Sequence, residues 1–156
     1  MDILNLGAGN KIIEGAVNHD QVKHRPEIDV VHDLDVLPWP WADESFDVIA
    51  ARAVFEHLRI NLFQSMDECW RILRPGGKAV IKIPYWKHDN SYADPSHYWH
   101  FALDTPRIFD PDTVYGNAYR FYPHKKWKII KGPLLNRAHS SIHCTLIKRE
   151  DVVDGK

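Results

Sequence analysis

The chain has 156 residues, 44% of them apolar and 26% charged, with 20 basic residues against 21 acidic ones. That size and balance predict one domain with a real core, and they exclude general disorder, collagen and coiled coil. They also exclude the global basic excess of a dedicated nucleic-acid binder, and no apolar run is long enough to cross a membrane.

In chain order, Ile3-Leu4-Asn5-Leu6 is an apolar run that stops at Gly7-Ala8-Gly9-Asn10, which predicts a buried strand entering a glycine turn. Residues 15–20 and 28–33 read as two more short strands, ending on Asp20 and Asp33. Pro38 to Asp43 read as a loop, and Ser45 to Ala51 as a fourth strand. Asn61 is placed to cap a helix running to about Leu73, with Leu62, Met66, Cys69, Trp70 and Leu73 at helical spacing. Pro75-Gly76-Gly77 is expected to end that helix, and Lys78 to Ile83 to form a fifth strand. Asp104-Thr105-Pro106 resembles a further helix start. Residues 127–131 and 141–148 read as closing strands, and 151–156 as a frayed tail. Strands alternating with turns and helices imply an α/β domain with a mostly parallel sheet, whose ligands sit beyond the carboxyl ends of the strands.

Two chemical signals stand out. Gly7-x-Gly9 lets backbone approach a ligand closely. A carboxylate at the tip of strand two (Asp20) can accept from a ribose diol, and one at the tip of strand three (Asp33) from an adenine amine. A dinucleotide site is disfavoured, because Ile12 stands at the third glycine position and Asp20 follows Gly7 by too few residues for a full helix. There is no phosphate-loop lysine motif and no Gly-x-Ser-x-Gly elbow. S-adenosylmethionine (SAM), with adenosine but no phosphate, fits better. The second signal is a segment from Tyr85 to Trp127 that holds 12 of the 18 aromatic residues and four of the ten histidines.

In these residues the sequence resembles the class I SAM-dependent methyltransferases of the type 11 domain group. Leu4 to Asn10 resembles the family's first motif, Asn18-His19-Asp20 its ribose-binding strand end, and His32-Asp33-Leu34 its adenine-side motif. Ser45 to Ile49 with Glu56-His57-Leu58 resembles the fourth-strand motif, and Arg71 to Gly77 the approach to strand five. The resemblance covers Leu4 to about Pro84. It implies a compact Rossmann-like sheet closed by an antiparallel pair, with the first helices shortened or missing, and one domain over residues 1–150. It implies SAM as cofactor and S-adenosylhomocysteine (SAH) as product. Cofactor contacts are expected from Asn5, Gly7, Ala8, Gly9, Asn10, Asp20, Asp33, Leu34, Ala51 and Arg52. Asn5 and Lys11 depart from the family, which usually carries an acid and often a third glycine there.

Residues 86–125 are expected to form the substrate side and lid. His97 and then His100 are candidate bases, since a histidine near neutral pKa suits a hydroxyl or amine acceptor. Trp86, His88, Tyr92, Asp94, Tyr98 and Trp99 are candidate pocket walls. Asp94, His97 and His100 match metal ligands by type, but three local ligands are too few to assign a metal. The amino-methyltransferase run Asn/Asp-Pro-Pro-Tyr is absent after strand four, where Ala51-Arg52-Ala53-Val54 stands. Lys125, Lys126, Lys128 and Lys131 read as a solvated strand face. The expected partner is therefore a small molecule, sugar or lipid precursor, with neither nucleic acid nor membrane. The alternative is a SAM- or SAH-binding module without catalysis that acts through a partner. Cys69 and Cys144 are too few for a disulfide framework or a zinc site, and residues 1–4 do not open a secretory leader, so a cytoplasmic setting is expected.

Overall fold

The computed structural model describes residues 1–150, so the tail expected over 151–156 lies outside the described residues. Seven strands make one sheet: β1 (Ile3–Leu6), β2 (Val17–Asp20), β3 (Val30–Val31), β4 (Phe46–Arg52), β5 (Leu73–Pro84), β6 (Trp127–Leu135) and β7 (Ser141–Lys148). Their order is β3-β2-β1-β4-β5-β7-β6. The first five run parallel, whereas β7 pairs antiparallel with both β5 and β6. The chain grows outward from β1 in one direction through β2 and β3, then returns to β1's other side with β4. That reversal between β1 and β4 opens a crevice beyond their carboxyl ends, the place where such sheets bind ligands.

One helix of regular length packs on the sheet: α1 (Leu62–Ile72), which buries Ser65, Met66, Cys69 and Ile72. Asn61 caps it as expected, accepting from the Gln64 N–H at 3.0 Å, while the Gln64 side chain accepts from the Asn61 N–H at 3.0 Å. The expected stop at Pro75-Gly76-Gly77 comes too late. Leu73 is already extended, and it pairs with Phe46, so the helix passes straight into β5 and the Pro-Gly-Gly run is an irregularity within that strand. Side-chain burial alternates along β5 and β7: Ala79, Ile81, Ile83, Ile142, Cys144 and Leu146 face the core, while Lys78, Val80 and His143 face out. This is the pattern of a sheet covered on one side.

The connections after β1 and β2 carry no helix, in line with the shortened-helix expectation. In the first of these, backbone groups are satisfied instead by a buried asparagine pair. The Asn18 side chain accepts from Asn5 Nδ2 (2.8 Å) and from the Ile13 N–H (3.0 Å), and donates to the Ile13 and Ala16 carbonyls. Asn5 Nδ2 also donates to the Lys11 carbonyl at 2.8 Å. The loop of Pro38 to Asp43 is fastened to α1 by Arg71. Its guanidinium donates to both Glu68 oxygens, to Asp43, and to the Trp39 and Trp41 carbonyls. This strap holds the Trp39 indole in the core, 2% exposed.

Beyond β5 the chain forms α2 (Asn90–Ala93), a 3-10 helix over Thr105–Phe109 and α3 (Val114–Ala118). The helix start read at Asp104-Thr105-Pro106 is therefore real but yields a single 3-10 turn. Thr113 caps α3 through its hydroxyl, which accepts from the Gly116 N–H at 2.9 Å. None of the described helices is long and apolar enough to cross a membrane.

Candidate active site

The crevice between β1 and β4 is a cleft of about 610 Å³. Strand tips form one wall: Gly7 after β1, Asp20 and Gln21 at the end of β2, His32 to Asp35 after β3, and Ala53 and Val54 after β4. The other wall is the chain that follows β4, His57 to Arg59, together with Ser96 and Tyr98 from the aromatic segment.

Local chemistry fixes each of these groups. Gly7 has φ +56°, a left-handed conformation, and a Cβ there would lie 2.7 Å from Val54 Cγ2. Asp20 Oδ2 accepts from the Gly9 N–H at 2.7 Å, which binds the glycine turn to the tip of β2. Asp20 Oδ1 accepts from Gln21 N–H at 2.7 Å. A carboxylate offers about four lone-pair sites, so Asp20 keeps capacity for a diol. Asp33 Oδ1 accepts from the Asp35 N–H (2.9 Å), and Asp35 Oδ1 accepts from the Arg59 (2.7 Å) and Ile60 (3.1 Å) N–H groups. The two walls of the cleft are thereby joined through Asp35.

His19 braces the cleft from within. It is 1% exposed, donates from Nε2 to the His32 carbonyl at 2.9 Å, and accepts at Nδ1 from the Gly7 N–H at 3.3 Å. One imidazole thus ties the ends of β1 and β2 to the turn after β3. Burial holds its pKa below the ordinary histidine value, which keeps the ring in the neutral tautomer that these contacts require. Sequence reasoning missed this residue. A histidine between two polar strand-end residues was the available signal.

At the other end of the cleft a 3-10 turn, Phe55–His57, presents Glu56 and His57. The aromatic segment docks against it: the Tyr98 N–H donates to the Glu56 carbonyl at 2.7 Å, and Trp99 Nε1 to the Leu58 carbonyl at 2.7 Å. The His57 and His97 rings meet edge to face, centroids 4.6 Å apart. Burial pushes the Glu56 carboxyl up to about 7.

The residues expected from sequence are divided by the structure. Gly7, Asp20, Asp33 and Leu34 share the cleft, and Tyr98 lines it from across. Asn5 lies behind it, 2% exposed, its amide engaged by Lys11 and Asn18. The two Gly9 contacts, from its N–H to Asp20 and from its carbonyl to His24 Nε2 (2.9 Å), hold the turn from outside the lining. Ala8, Asn10, Ala51 and Arg52 are likewise not among the lining residues. His97 sits one layer back, donating from Nδ1 to the Ser91 carbonyl at 3.0 Å, so it reaches the cleft through His57. His100 is elsewhere: with Trp99 it lines a second, aromatic cavity of about 520 Å³ beside Phe63, Phe109 and Tyr122. Its ring stacks on Tyr92 at 4.0 Å, and its Nδ1 lies 2.8 Å from Ser91 Oγ. Trp86, His88 and Asp94 line neither cavity.

Comparison with known proteins agrees with this architecture. A family model described as a methyltransferase domain matches residues 9–81. A probable S-adenosylmethionine-dependent methyltransferase of Mycolicibacterium smegmatis is 39% identical over 84 residues, which are 53% of this chain and 31% of that protein. The chain thus spans about a third (31%) of the length of that curated relative. Among solved structures, the YcgJ protein of Bacillus subtilis superposes with a TM-score of 0.63 at 17% identity, covering 96% of this chain and 92% of that one. A chain of the complex between the Haloferax volcanii Trm112 methyltransferase activator and a putative methyltransferase does so with 0.65 at 14% identity, covering 96% and 83%. At these identities the likeness is one of fold. The ordered motifs, the strand order and the matched region make this chain similar, over residues 9–81, to the methyltransferase domains of SAM-dependent enzymes.

Proposed function

We propose that the chain transfers the methyl group of SAM to a hydroxyl or amine of a small molecule, with sugars and lipid precursors inside that class. The observation that carries this reading is the convergence of Gly7, Asp20 and Asp33 on one cleft at the reversal of strand order. The residues fit the cofactor. About 610 Å³ is within the range of ligand sites. Among the polar groups of the lining, the Asp20 and Asp33 carboxylates suit a diol and an amine.

SAM supplies an electrophilic methyl: the acceptor's lone pair makes the new C–O or C–N bond, the C–S pair returns to sulfur, and SAH remains. Everything else falls to the chain. Asp20 would accept from the ribose hydroxyls, Asp33 from the adenine amine, and Leu34 would pack against the base. Alignment of the acceptor is the largest contribution available to such a displacement, and Tyr98 and Ser96 narrow the cleft where the acceptor must enter. The acceptor proton leaves at the end of the cleft where His57 and Ser96 stand.

One observation favours a second reading, a SAM- or SAH-binding module that works through a partner. The Asn5 amide is spent inside the fold and brings no negative charge toward the cofactor's ammonium. Calorimetric titration with SAM and SAH, beside Asp20→Ala, tests the cofactor half. Binding that weakens at least ~10-fold in the variant is expected, and no binding by the unaltered chain overturns both readings. Release of SAH in the presence of fractionated metabolites then separates them, because a module without catalysis binds yet releases none.

A further inference from the structure

Glu56, His57 and His97 each turn a ligand atom toward the same point, all within 4.8 Å of one another. Their hydrogen bonds determine which atoms those are. The Ser91 carbonyl can only accept, so His97 Nδ1 carries the proton in their 3.0 Å contact. Ser96 Oγ spends its own proton on Asp94 Oδ1 at 2.6 Å. Its 2.9 Å contact with His57 Nδ1 is therefore a bond donated by the ring. Both imidazoles are thus fixed as Nδ1–H tautomers with an Nε2 lone pair left over. The proton of each is anchored on an oxygen, the arrangement that orients metal-binding histidines.

The carboxylate completes the set. The Glu56 side chain is 2% exposed, and its Oε2 is buried with no hydrogen-bond partner. An orphaned buried carboxylate oxygen is costly and calls for a cation or donor. Glu56 Oε1 lies 3.9 Å from His57 Nε2. A tetrahedral ion with bonds of about 2.0–2.1 Å holds its ligands roughly 3.3 Å apart. That pair closes with a movement of about 0.6 Å, and the widest separation in the set, at most 4.8 Å, with about 1.5 Å. Asp94 Oδ2, 3.8 Å from His97 Nε2, stands beside the set.

We propose that Glu56, His57 and His97 form a binding site for a divalent transition-metal ion at the acceptor end of the cleft. Two imidazoles and one carboxylate suit zinc, or iron and its neighbours, and three protein ligands leave coordination positions open. Because His57 also lines the cleft, an open position faces the space where an acceptor oxygen enters. The ion would hold that oxygen and favour loss of its proton. This use of the ion rests on the methyl-transfer reading, whereas the site itself rests on the cluster's geometry alone.

The test is made without SAM. The untagged chain is stripped with chelator and titrated calorimetrically with Zn²⁺, with the bound ion counted by elemental analysis. The same sample takes up Co²⁺, whose visible bands report nitrogen and oxygen ligation. One ion per chain is expected. His57→Gln and Glu56→Gln should each weaken binding by about a hundredfold or more, and His139→Asn, in the exposed β6–β7 turn, should leave it unchanged. His57 is partly exposed, so its variant decides the matter if Glu56→Gln fails to fold. Absence of stoichiometric binding, or binding that survives His57→Gln, overturns the proposal. SAM titration on the same preparations reports separately on the methyl-transfer reading.

Discussion

Gly7 offers the sharpest check on how the cleft is built. Replacing it with alanine has two separable effects. The backbone at φ +56° disfavours any side chain with a Cβ, by roughly 1–2 kcal/mol. The new Cβ also meets Val54 Cγ2 at 2.7 Å and Cγ1 at 3.4 Å, an overpacking worth about 1–3 kcal/mol. Gly7→Ala should therefore lose some ~2–5 kcal/mol in total. The two parts come apart in a double-mutant cycle with Val54→Ala, measured by urea unfolding. In the Val54→Ala background the contact vanishes and the strain of the backbone persists. Gly7→Ala should then lose only ~1–2 kcal/mol, leaving a coupling of about 1–3 kcal/mol between the sites. Additive losses, with coupling under ~0.5 kcal/mol, would refute the close approach of the β1 turn to Val54. A fully tolerated Gly7→Ala would refute the left-handed turn as well. SAM affinity read on the same variants should follow the contact, because Val54 and Gly7 line the same cleft.

Arg71→Lys should destabilise the chain by about 1–3 kcal/mol in the same assay, since an ammonium cannot reproduce the fork that grips Glu68, Asp43 and two carbonyls. His19 should make stability depend on acid. Its folded pKa lies below the unfolded value of 6.5, so its contribution is full above pH 6.5 and is lost as pH falls through and below that value. Unfolding free energies from pH 7.5 to 5 should show a shallower fall in His19→Asn, and an unchanged slope would remove His19 as a source. Asn18→Ala should lose more stability than Asn5→Ala by chemical unfolding, because Asn18 serves the Ile13 N–H and two carbonyls while Asn5 donates to only one backbone group. Saturating SAM should raise the melting temperature by roughly 5–11 °C at a hundredfold excess over its dissociation constant, and less in Asp20→Ala at the same concentration.

What could be read from the sequence was whatever leaves a periodic or positional mark. Leu4, Ile49 and Ile81 sit in apolar runs, and Asn61 stands at a cap, so strands and helix were placed within a few residues. Asp20 and Asp33 were legible because each closes a short strand-like run, where a parallel sheet offers polar groups to a ligand. The start of β5 was misplaced, at Lys78 instead of Leu73, because Leu73 and Arg74 suit a helix by propensity, whereas pairing with Phe46 makes Leu73 extended. The acceptor side was less legible. His97 and His100 lie three residues apart, a spacing that suggests one site. The chain instead passes over Glu56 at Tyr98 and turns, sending the His100 ring to the second cavity and leaving His97 behind His57. Glu56 and His57 sit about forty residues before His97, and neighbours of that kind are visible only once the segment is docked.

The same long-range logic explains how so short a chain keeps a cleft. A parallel sheet ordinarily covers its crossovers with helices, and the crossover helix also presents N–H groups to the ligand. Here both early crossovers are bare turns, so the strand tips must be held by side chains. Asn18 serves the first crossover, His19 ties the Gly7 turn to the chain after β3, and Asp35 ties that chain to the chain after β4. Each is polar, buried or half-buried, and bonded to backbone of another segment. Loss of any one would leave unsatisfied groups at a tip that contacts the cleft, so its effect should reach cofactor affinity as well as stability. The compact form thus gains its small size by making the residues of the binding site part of its framework.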